Sequence, residues 1–367
     1  MMKTWPRRIG AVMVAAAVLA GCSANPSPPT PAAPRSGSVW VADEGRDSLT
    51  VIDAATGAVA MTLTGIDAPH NVQVGRDGAV VYAVSGADVV VAIDPNSYRV
   101  TATAPTGAHP AHVIEAPGGK VYVSNAGDGT VSVYEGPGLR PVGQITVGGM
   151  PHGLRPAANG SVIVVANTTT GAVDLIDPAT DAPLGAVPVG PGPAQVAVSA
   201  DGAYAYTGIS DPPSVVKVDL AQRTVVASAA VPSAPVQLYL TPDETRVLSA
   251  DQGTPQAPGH TLSVIDTAAM TTRGTVSTGA GPHGVVIDAS GDWAWVTNSY
   301  DDTVTAVDLA TLTAQTPVAV GTQPSGISYS PQSPAAAPAA AATLDIPAPP
   351  PATDQNSAPP DPHRGHH

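Results

Sequence analysis

A repeat of about 42 residues is the feature that most limits the folds open to this chain. A proline ahead of an alternating apolar run recurs seven times, with spacings of 41, 41, 42, 42, 47 and 42 residues. An acidic residue that ends a later run recurs with the same six spacings. The prolines are Pro69, Pro110, Pro151, Pro193, Pro235, Pro282 and Pro324, and the acids are Asp53, Asp94, Glu135, Asp177, Asp219, Asp266 and Asp308. Two anchors that keep the same spacing indicate seven copies of one structural unit.

Each unit contains four short runs in which apolar and polar residues alternate, and turn residues separate the runs. The runs are rich in Val, Ile, Thr and Tyr, and no window shows helical periodicity. This pattern predicts a four-stranded antiparallel meander and excludes helical solenoids. Seven such units predict an all-β fold, a seven-bladed β-propeller.

The ends of the repeat region predict how the ring closes. The first unit begins at Val39 with only three runs, and an extra run, Pro324–Ser330, follows the last complete unit. We expect this C-terminal strand to pair with the first blade, because an unpaired sheet edge would otherwise open the ring. The propeller is therefore assigned to residues 36–330.

The N-terminal residues have the pattern of an export signal. A basic segment and a short apolar run lead to Leu19-Ala20-Gly21-Cys22, which resembles a bacterial lipobox. Residues 1–21 are predicted to be a lipoprotein signal peptide, Cys22 the lipidated residue, and residues 22–35 a proline-rich tether. The predicted location is extracytoplasmic, anchored to the bacterial cell membrane through lipid alone. Ordinary secretion with cleavage nearby is the alternative.

Composition excludes several classes of function. A single cysteine can form neither an internal disulfide nor a cysteine-based zinc site. A net charge of −14 disfavours nucleic acid as a partner, because phosphates would be repelled. The chain has no nucleophile elbow, His-Glu-x-x-His, P-loop or EF-hand motif, which favours a protein that is not an enzyme. Residues 331–367 are rich in Pro and Ala and are predicted to be a disordered tail.

Four short quartets carry a resemblance to a known family. Each ends ten residues before the repeat acid: Trp40-Val41-Ala42-Asp43, Tyr122-Val123-Ser124-Asn125, Val164-Val165-Ala166-Asn167 and Trp295-Val296-Thr297-Asn298. The chain resembles the YncE-like, YVTN-repeat seven-bladed propellers over residues 36–330. The resemblance implies an extracytoplasmic binding or structural module, and it brings no catalytic residues.

Histidines next to the repeat prolines are the candidate functional residues. In a propeller, the loop that enters the innermost strand lies at one mouth of the central channel. We predict a ligand-binding mouth formed by two groups, the histidines His70, His109, His112, His152 and His283 and the quartet ends Asp43, Asn125, Asn167 and Asn298. His70, His112 and His152 come from three adjacent units and are the candidate ligands for zinc or copper. A structural role in the Pro-His turns is the competing interpretation.

Three functions follow from this reading. The first is a surface-anchored, non-enzymatic propeller that binds a protein partner or a small ligand at the histidine-bearing mouth. The second is an extracytoplasmic protein that stores or delivers zinc or copper. The third is a metal- or quinone-dependent enzyme.

Overall fold

Short strands and tight turns make up almost all of the described structure. The structure, a computed structural model, describes residues 1–2, 33–337 and 339–349. One 3₁₀ helix, Glu44–Arg46, lies among the strands. No helix within those described residues is long and apolar enough to cross a membrane. The predicted lipidation site, Cys22, and residues 3–32 as a whole lie outside the described residues.

The strands form seven sheets that follow the sequence repeat. In chain order they are β1 (Ser38–Asp43), β2 (Ser48–Asp53) and β3 (Val59–Thr64) in blade 1; β4 (Val72–Val74), β5 (Val81–Ser85), β6 (Val89–Asp94) and β7 (Arg99–Pro105) in blade 2; β8 (Pro110–Glu115), β9 (Lys120–Asn125), β10 (Thr130–Glu135) and β11 (Arg140–Thr146) in blade 3; β12 (Pro151–Pro156), β13 (Ile163–Asn167), β14 (Ala172–Asp177) and β15 (Ala182–Pro188) in blade 4. They continue as β16 (Val196–Val198), β17 (Tyr204–Ile209), β18 (Ser214–Asp219) and β19 (Thr224–Ala230) in blade 5; β20 (Leu238–Leu240), β21 (Arg246–Thr254), β22 (Ala257–Asp266) and β23 (Thr271–Ser277) in blade 6; β24 (Pro282–Ile287), β25 (Trp293–Asn298), β26 (Thr303–Asp308), β27 (Thr313–Ala314) and β28 (Val318–Ala319) in blade 7; and β29 (Pro324–Ser330) and β30 (Ala341–Thr343), both in blade 1 again.

The C-terminal strand β29 closes the ring. It pairs antiparallel with β1, with Trp40 opposite Ser328 and Val41 opposite Ile327. The first strand of each blade contacts the first strand of the next, and β29 takes this place in blade 1. The prediction of a seven-bladed propeller with four antiparallel strands per blade, closed by the C-terminal strand, is confirmed.

Apolar side chains fill every interface between neighbouring blades. The buried residues divide into seven hydrophobic clusters, and each cluster joins two adjacent blades. The middle strands are therefore covered on both faces, and all six residues of β1 are buried. The outermost strand β15 has one buried residue in seven. Burial on both faces explains why the middle strands are runs of Val, Ile and Ala.

The repeat acids have the structural role that their position before a turn suggests. The side chain of Asp53 accepts hydrogen bonds from the backbone N–H groups of Ala55 and Thr56. Asp266 and Asp308 accept the corresponding pairs in blades 6 and 7. These are Asx turns that lead from the third strand of a blade to its fourth.

After β29, the described residues 331–337 and 339–349 lie along blades 1 and 2. β30 adds a parallel strand outside β3, and Leu344 is buried in the interface between these two blades. The carbonyl groups of Ala335 and Pro347 accept hydrogen bonds from the hydroxyls of Tyr98 and Thr103. The tail predicted to be disordered from residue 331 thus lies partly on the propeller, because its few apolar residues have a site between blades; residues 350–367 lie outside the described residues.

Two shortened chains would separate ring closure from this added segment. A chain that ends at residue 330 keeps β29 but loses Leu344, and we expect it to fold with about 2 to 4 kcal/mol less stability. A chain that ends at residue 323 also lacks β29, so the edge of β1 is exposed and we expect aggregation. Urea unfolding and gel filtration measure both outcomes. A stable, monomeric chain ending at residue 323 would contradict the role assigned to β29.

Candidate functional site

Four histidine rings meet at one mouth of the channel. The ring centroid of His70 lies 5.5 Å from that of His112, 5.0 Å from that of His152 and 5.6 Å from that of His283. The rings of His112 and His152 are 5.0 Å apart. One nitrogen from each of His70, His112 and His152 can be chosen so that all three atoms lie within 4.8 Å of one another.

The repeat explains why these rings converge. His70, His152 and His283 each follow their repeat proline directly, and His112 stands one residue later, after Pro110 and Ala111. The innermost strands surround the channel, so equivalent positions in different blades lie at the same depth. Blades 2, 3, 4 and 7 thereby supply imidazoles to one mouth.

Hydrogen bonds to the outer ring nitrogens fix three of the imidazoles. Nδ1 of His70 lies 3.0 Å from Oε2 of Glu44, and Nδ1 of His152 lies 2.9 Å from the carbonyl oxygen of Ala194. Both partners are acceptors, so Nδ1–H donates in each ring, and the neutral ring of His152 keeps the lone pair of its Nε2. Nδ1 of His112 faces Nε2 of Gln195 at 3.2 Å.

Two buried nitrogens of this cluster have no hydrogen-bond partner within the described part of the chain. They are Nε2 of His70 and Nδ1 of His283. A buried polar atom without a partner costs free energy, and such atoms commonly mark a site for a water molecule, an ion or a ligand. Nε2 of His70 is the ring nitrogen that Glu44 does not contact.

Burial keeps three of the four imidazoles uncharged. Burial, reinforced by the neighbouring His70, lowers the pKa of His152 to about 3 and the pKa of His283 to about 4. The pKa of His112 also lies well below its usual value, mainly through burial and then through His152 and His70. Burial opposes ionisation of Glu44, but the hydrogen bond and charge of His70 outweigh it and hold the pKa of Glu44 below 4.5. At neutral pH the imidazoles of His112, His152 and His283 are therefore neutral, and Glu44 is a carboxylate.

The remaining predicted histidines lie elsewhere. His109 is exposed on the loop before β8, and its backbone N–H donates to Oδ1 of Asp88. Its side chain does not join the four-ring cluster. The tail residues His363, His366 and His367 lie outside the described residues.

The structure places the four quartet ends inside their blades and not at an open mouth. Asp43, Asn125, Asn167 and Asn298 are all 0% exposed. Oδ2 of Asp43 accepts hydrogen bonds from the hydroxyls of Ser48 and Thr50. Each of these side chains makes hydrogen bonds that join the second strand of its blade to the third strand. Within the described part of the chain, Oδ1 of Asn125 and Oδ1 of Asn298 have no hydrogen-bond partner, but both atoms are buried inside their blades.

The amides make the same contacts through their Nδ2 atoms. Nδ2 of Asn125 donates to two hydroxyls, and Nδ2 of Asn298 does so in blade 7, with distances of 2.9 to 3.0 Å. Asn167 donates to Oδ2 of Asp174 and to the carbonyl of Gly148. In blade 6, Asp251 has this role and accepts from three hydroxyls.

Sequence reasoning missed Glu44 and Gln195. Glu44 directly follows a quartet, and Gln195 stands two residues after its repeat proline, the same repeat position as His112. That shared position was the available signal for Gln195. The contact from Glu44 to His70 joins blades 1 and 2, and no local pattern marks it.

The cluster has the donor set of a transition-metal site. Neutral imidazoles are good ligands for zinc, copper and nickel. Ligating histidines usually donate their second ring N–H to a carboxylate or a backbone carbonyl, as His70 and His152 do here. The residues His70, His112 and His152 therefore fit a bound divalent ion.

Comparisons with known proteins show the fold. No protein-family model matches the chain, and no curated protein matches it. The chain is similar to a chain in a structure of Kuenenia stuttgartiensis hydrazine synthase, with a TM-score of 0.65, 20% identity, and coverage of 74% of this chain and 92% of that chain. It is also similar to a protein of unknown function from Desulfotomaculum acetoxidans, with a TM-score of 0.70, 13% identity, and coverage of 80% of this chain and 99% of that chain. A Bacteroides uniformis protein proposed to be a 6-phosphogluconolactonase has a TM-score of 0.67 and 17% identity, with coverage of 81% of this chain and 100% of that chain. At these identities the similarity establishes the propeller architecture.

Replacing Asp251 with asparagine measures the free energy that burial of its carboxylate among three hydroxyl groups costs the folded chain. Burial raises the pKa of Asp251 to about 6 from 3.8, despite three hydroxyl hydrogen bonds. Its contribution to stability is therefore greatest below pH 4 and is lost as the pH rises through 6. Asp251→Asn removes this loss, so its stability relative to the natural chain should be about 2 kcal/mol more favourable at pH 8 than at pH 4.5.

Urea unfolding at these two pH values gives the result, and Asp266→Asn is the matched control. Asp266 is half-buried, and backbone hydrogen bonds together with Arg273 lower its pKa to about 2. It is ionised in both folded and unfolded chains over most of this range, so its effect should hardly depend on pH. An Asp251→Asn effect that is equal at both pH values would contradict the assignment.

Proposed function

We propose that this chain is a lipid-anchored, extracytoplasmic propeller of the YncE-like type that binds one zinc or copper ion at its histidine mouth. The observation that carries the proposal is the group of three histidine nitrogens within 4.8 Å of one another. Their origin in three adjacent blades gives a rigid site, because each blade is packed between its neighbours. Of the functions considered from the sequence, metal storage or delivery is the one that this geometry favours.

The distances leave a small adjustment to be made on binding. Three nitrogens at about 2.0 to 2.1 Å from a tetrahedral zinc ion lie roughly 3.3 Å apart. The rings must therefore move together by about 1 Å. Rotation of the imidazoles about their side-chain bonds supplies such a movement without displacing the strands.

His112 controls how readily the ion enters. The backbone N–H of Val196 donates to Oε1 of Gln195, so Nε2 of Gln195 faces His112 and donates to its Nδ1. The proton of the neutral His112 ring then lies on Nε2. Coordination through Nε2 requires the ring proton to move to Nδ1. The Gln195 amide must then turn, so that its Oε1 accepts a hydrogen bond from Nδ1–H. His70 and His152 need no such change.

The partial exposure of the site suits exchange of the ion. The side chain of His70 is 19% exposed and that of Glu44 is 41% exposed, so solvent reaches one side of the cluster. Three protein ligands leave one position of a tetrahedron for water or for a ligand from a donor or acceptor. A storage or delivery protein needs this access.

Metal titration tests the proposal directly. The chain without its leader, with His363, His366 and His367 replaced by alanine, should bind one zinc ion in isothermal titration calorimetry. His152→Ala removes one of three ligands and should weaken zinc binding at least 100-fold. Glu44→Gln leaves the ligands in place but loses the charge behind His70, which should weaken binding about 10- to 100-fold.

His109→Ala is the matched control, because His109 lies three residues from His112 but is exposed and outside the cluster. Its zinc affinity should equal that of the parent chain. Cobalt substitution adds a spectroscopic readout, since tetrahedral cobalt absorbs strongly in the visible region. An equal loss in the His109 and His152 variants, or a stoichiometry well below one, would reject the metal function.

The lipid anchor has its own test. Thioether-linked acyl chains on Cys22 would hold the protein at the membrane, since two or more chains give stable anchoring. In a bacterial host, the natural chain should sediment with membranes and Cys22→Ala should not. Mass spectrometry of the mature N-terminus identifies the acyl groups. A membrane-bound Cys22→Ala protein would argue against lipidation as the anchor.

A further inference from the structure

A second site lies at the other mouth of the channel, where the innermost strands end. A cavity of about 310 Å³ opens there, lined by β4, β8, β12, β16 and β20 and by the loops that follow them. His112 and Gln195 stand two residues after their repeat prolines. The cavity wall is formed by residues two positions further along the innermost strands, which lie on the same face because strand side chains alternate. They include Gln73, Ile114, Arg155, Ala197 and Tyr239.

Arg155 is the central group of this cavity. Its guanidinium lies 5.0 Å from the ring centroid of Tyr239, and Nη1 donates to Oε1 of Gln73 at 3.2 Å. Gln73 is held in this orientation, since its Nε2 donates to the carbonyl of Val74 and to the hydroxyl of Ser328. The side chain thus extends from blade 4 toward blades 2 and 6 and is fixed on two sides.

Arg155 carries a charge that the described part of the chain does not neutralise. No carboxylate there lies within salt-bridge distance of it. The two acidic residues of the cavity are engaged with backbone, because Glu115 accepts from the N–H of Arg76 and Glu244 from that of Ala200. A half-buried guanidinium with a single neutral acceptor keeps several N–H donors free for a ligand.

We propose that this cavity binds a small organic carboxylate, with the carboxylate on Arg155 and an apolar body against the wall. A fixed guanidinium matches the planar, two-oxygen geometry of a carboxylate. The aliphatic side chains of Ile114, Ala197 and Leu240 in the cavity wall suit a hydrocarbon or aromatic group, and the cavity volume is at the lower end of the range for small-ligand sites. This site is separate from the histidine cluster and does not depend on the metal function.

Benzoate and benzamide form a matched pair of probes, because they share a ring and differ in charge. In titrations followed by ligand-observed NMR, benzoate should bind the leaderless chain in the millimolar range or tighter. Benzamide should bind at least 10-fold more weakly. Inorganic phosphate should not compete, since it lacks the apolar body; displacement of benzoate by equimolar phosphate would overturn the assignment to carboxylates.

Variants assign the binding to Arg155. Arg155→Gln should weaken benzoate binding at least 10-fold, while Arg76→Gln, a rim arginine whose backbone alone contacts Glu115, should change it less than 3-fold. Arg155→Lys keeps the charge without the planar fork and should give an intermediate loss, which decides the matter if Arg155→Gln does not fold. Unchanged benzoate affinity in both Arg155 variants would overturn the proposal. Zinc affinity measured on the same samples should stay within 3-fold, so failure of either site is recognised independently of the other.

Discussion

Burial of both faces of every sheet is the constraint on which this structure depends. A single four-stranded meander exposes two apolar faces, and each face is covered only when another blade packs against it. Seven apolar clusters, one at each interface, satisfy that need around the whole ring. Pairing of β29 with β1 removes the last free edge, so the N-terminal and C-terminal parts of the propeller share one sheet.

A rigid ring allows the channel wall to vary without changing the fold. Two residues after the repeat proline, the seven blades carry Asn71, His112, Gly153, Gln195, Gln237, Gly284 and Gly326. The glycines matter for the others. A Cβ atom at Gly153 would overlap the side-chain amide of Gln195, so glycine there leaves room for the contact between Gln195 and His112. The channel wall thus varies at this repeat position, and the size of a residue there limits the side chain of its neighbour.

The fold was predictable because periodicity is a property of the whole sequence. The seven prolines and the seven acids share the same series of spacings, which determines the number of blades. The additional strand that begins at Pro324 determines how the ring closes. The convergence of His70, His112 and His152 followed from the same alignment. The buried location of Asp43 and Asn125 did not follow from the alignment. The sequence does not show whether a polar residue at the end of a strand faces the channel mouth or hydrogen-bonds to hydroxyls inside its own blade.

Contacts between distant segments were the part that sequence could not supply. Leu344 is buried between blades 1 and 2, yet it lies in a segment rich in Pro and Ala that shows no strand periodicity. Glu44 reaches His70 from another blade, and Gln73 meets Arg155 from a blade two positions away. Such pairs depend on the ring geometry, which brings residues about 26 and 82 positions apart into contact.

The two mouths of the channel have opposite electrostatic character, and this follows from how each charge is compensated. At the histidine mouth, burial lowers the pKa of His152 and of His283 while Glu44 stays ionised, which favours a cation. At the far mouth, backbone N–H groups stabilise the carboxylates of Glu115 and Glu244, whereas Arg155 faces only an amide and an aromatic ring, which favours an anion. The side-chain amides of Asn71, Gln195 and Gln237 lie between these two regions. Because these amides are neutral and bonded to neighbouring groups, the channel can keep a positive ligand and a negative ligand apart within a single fold.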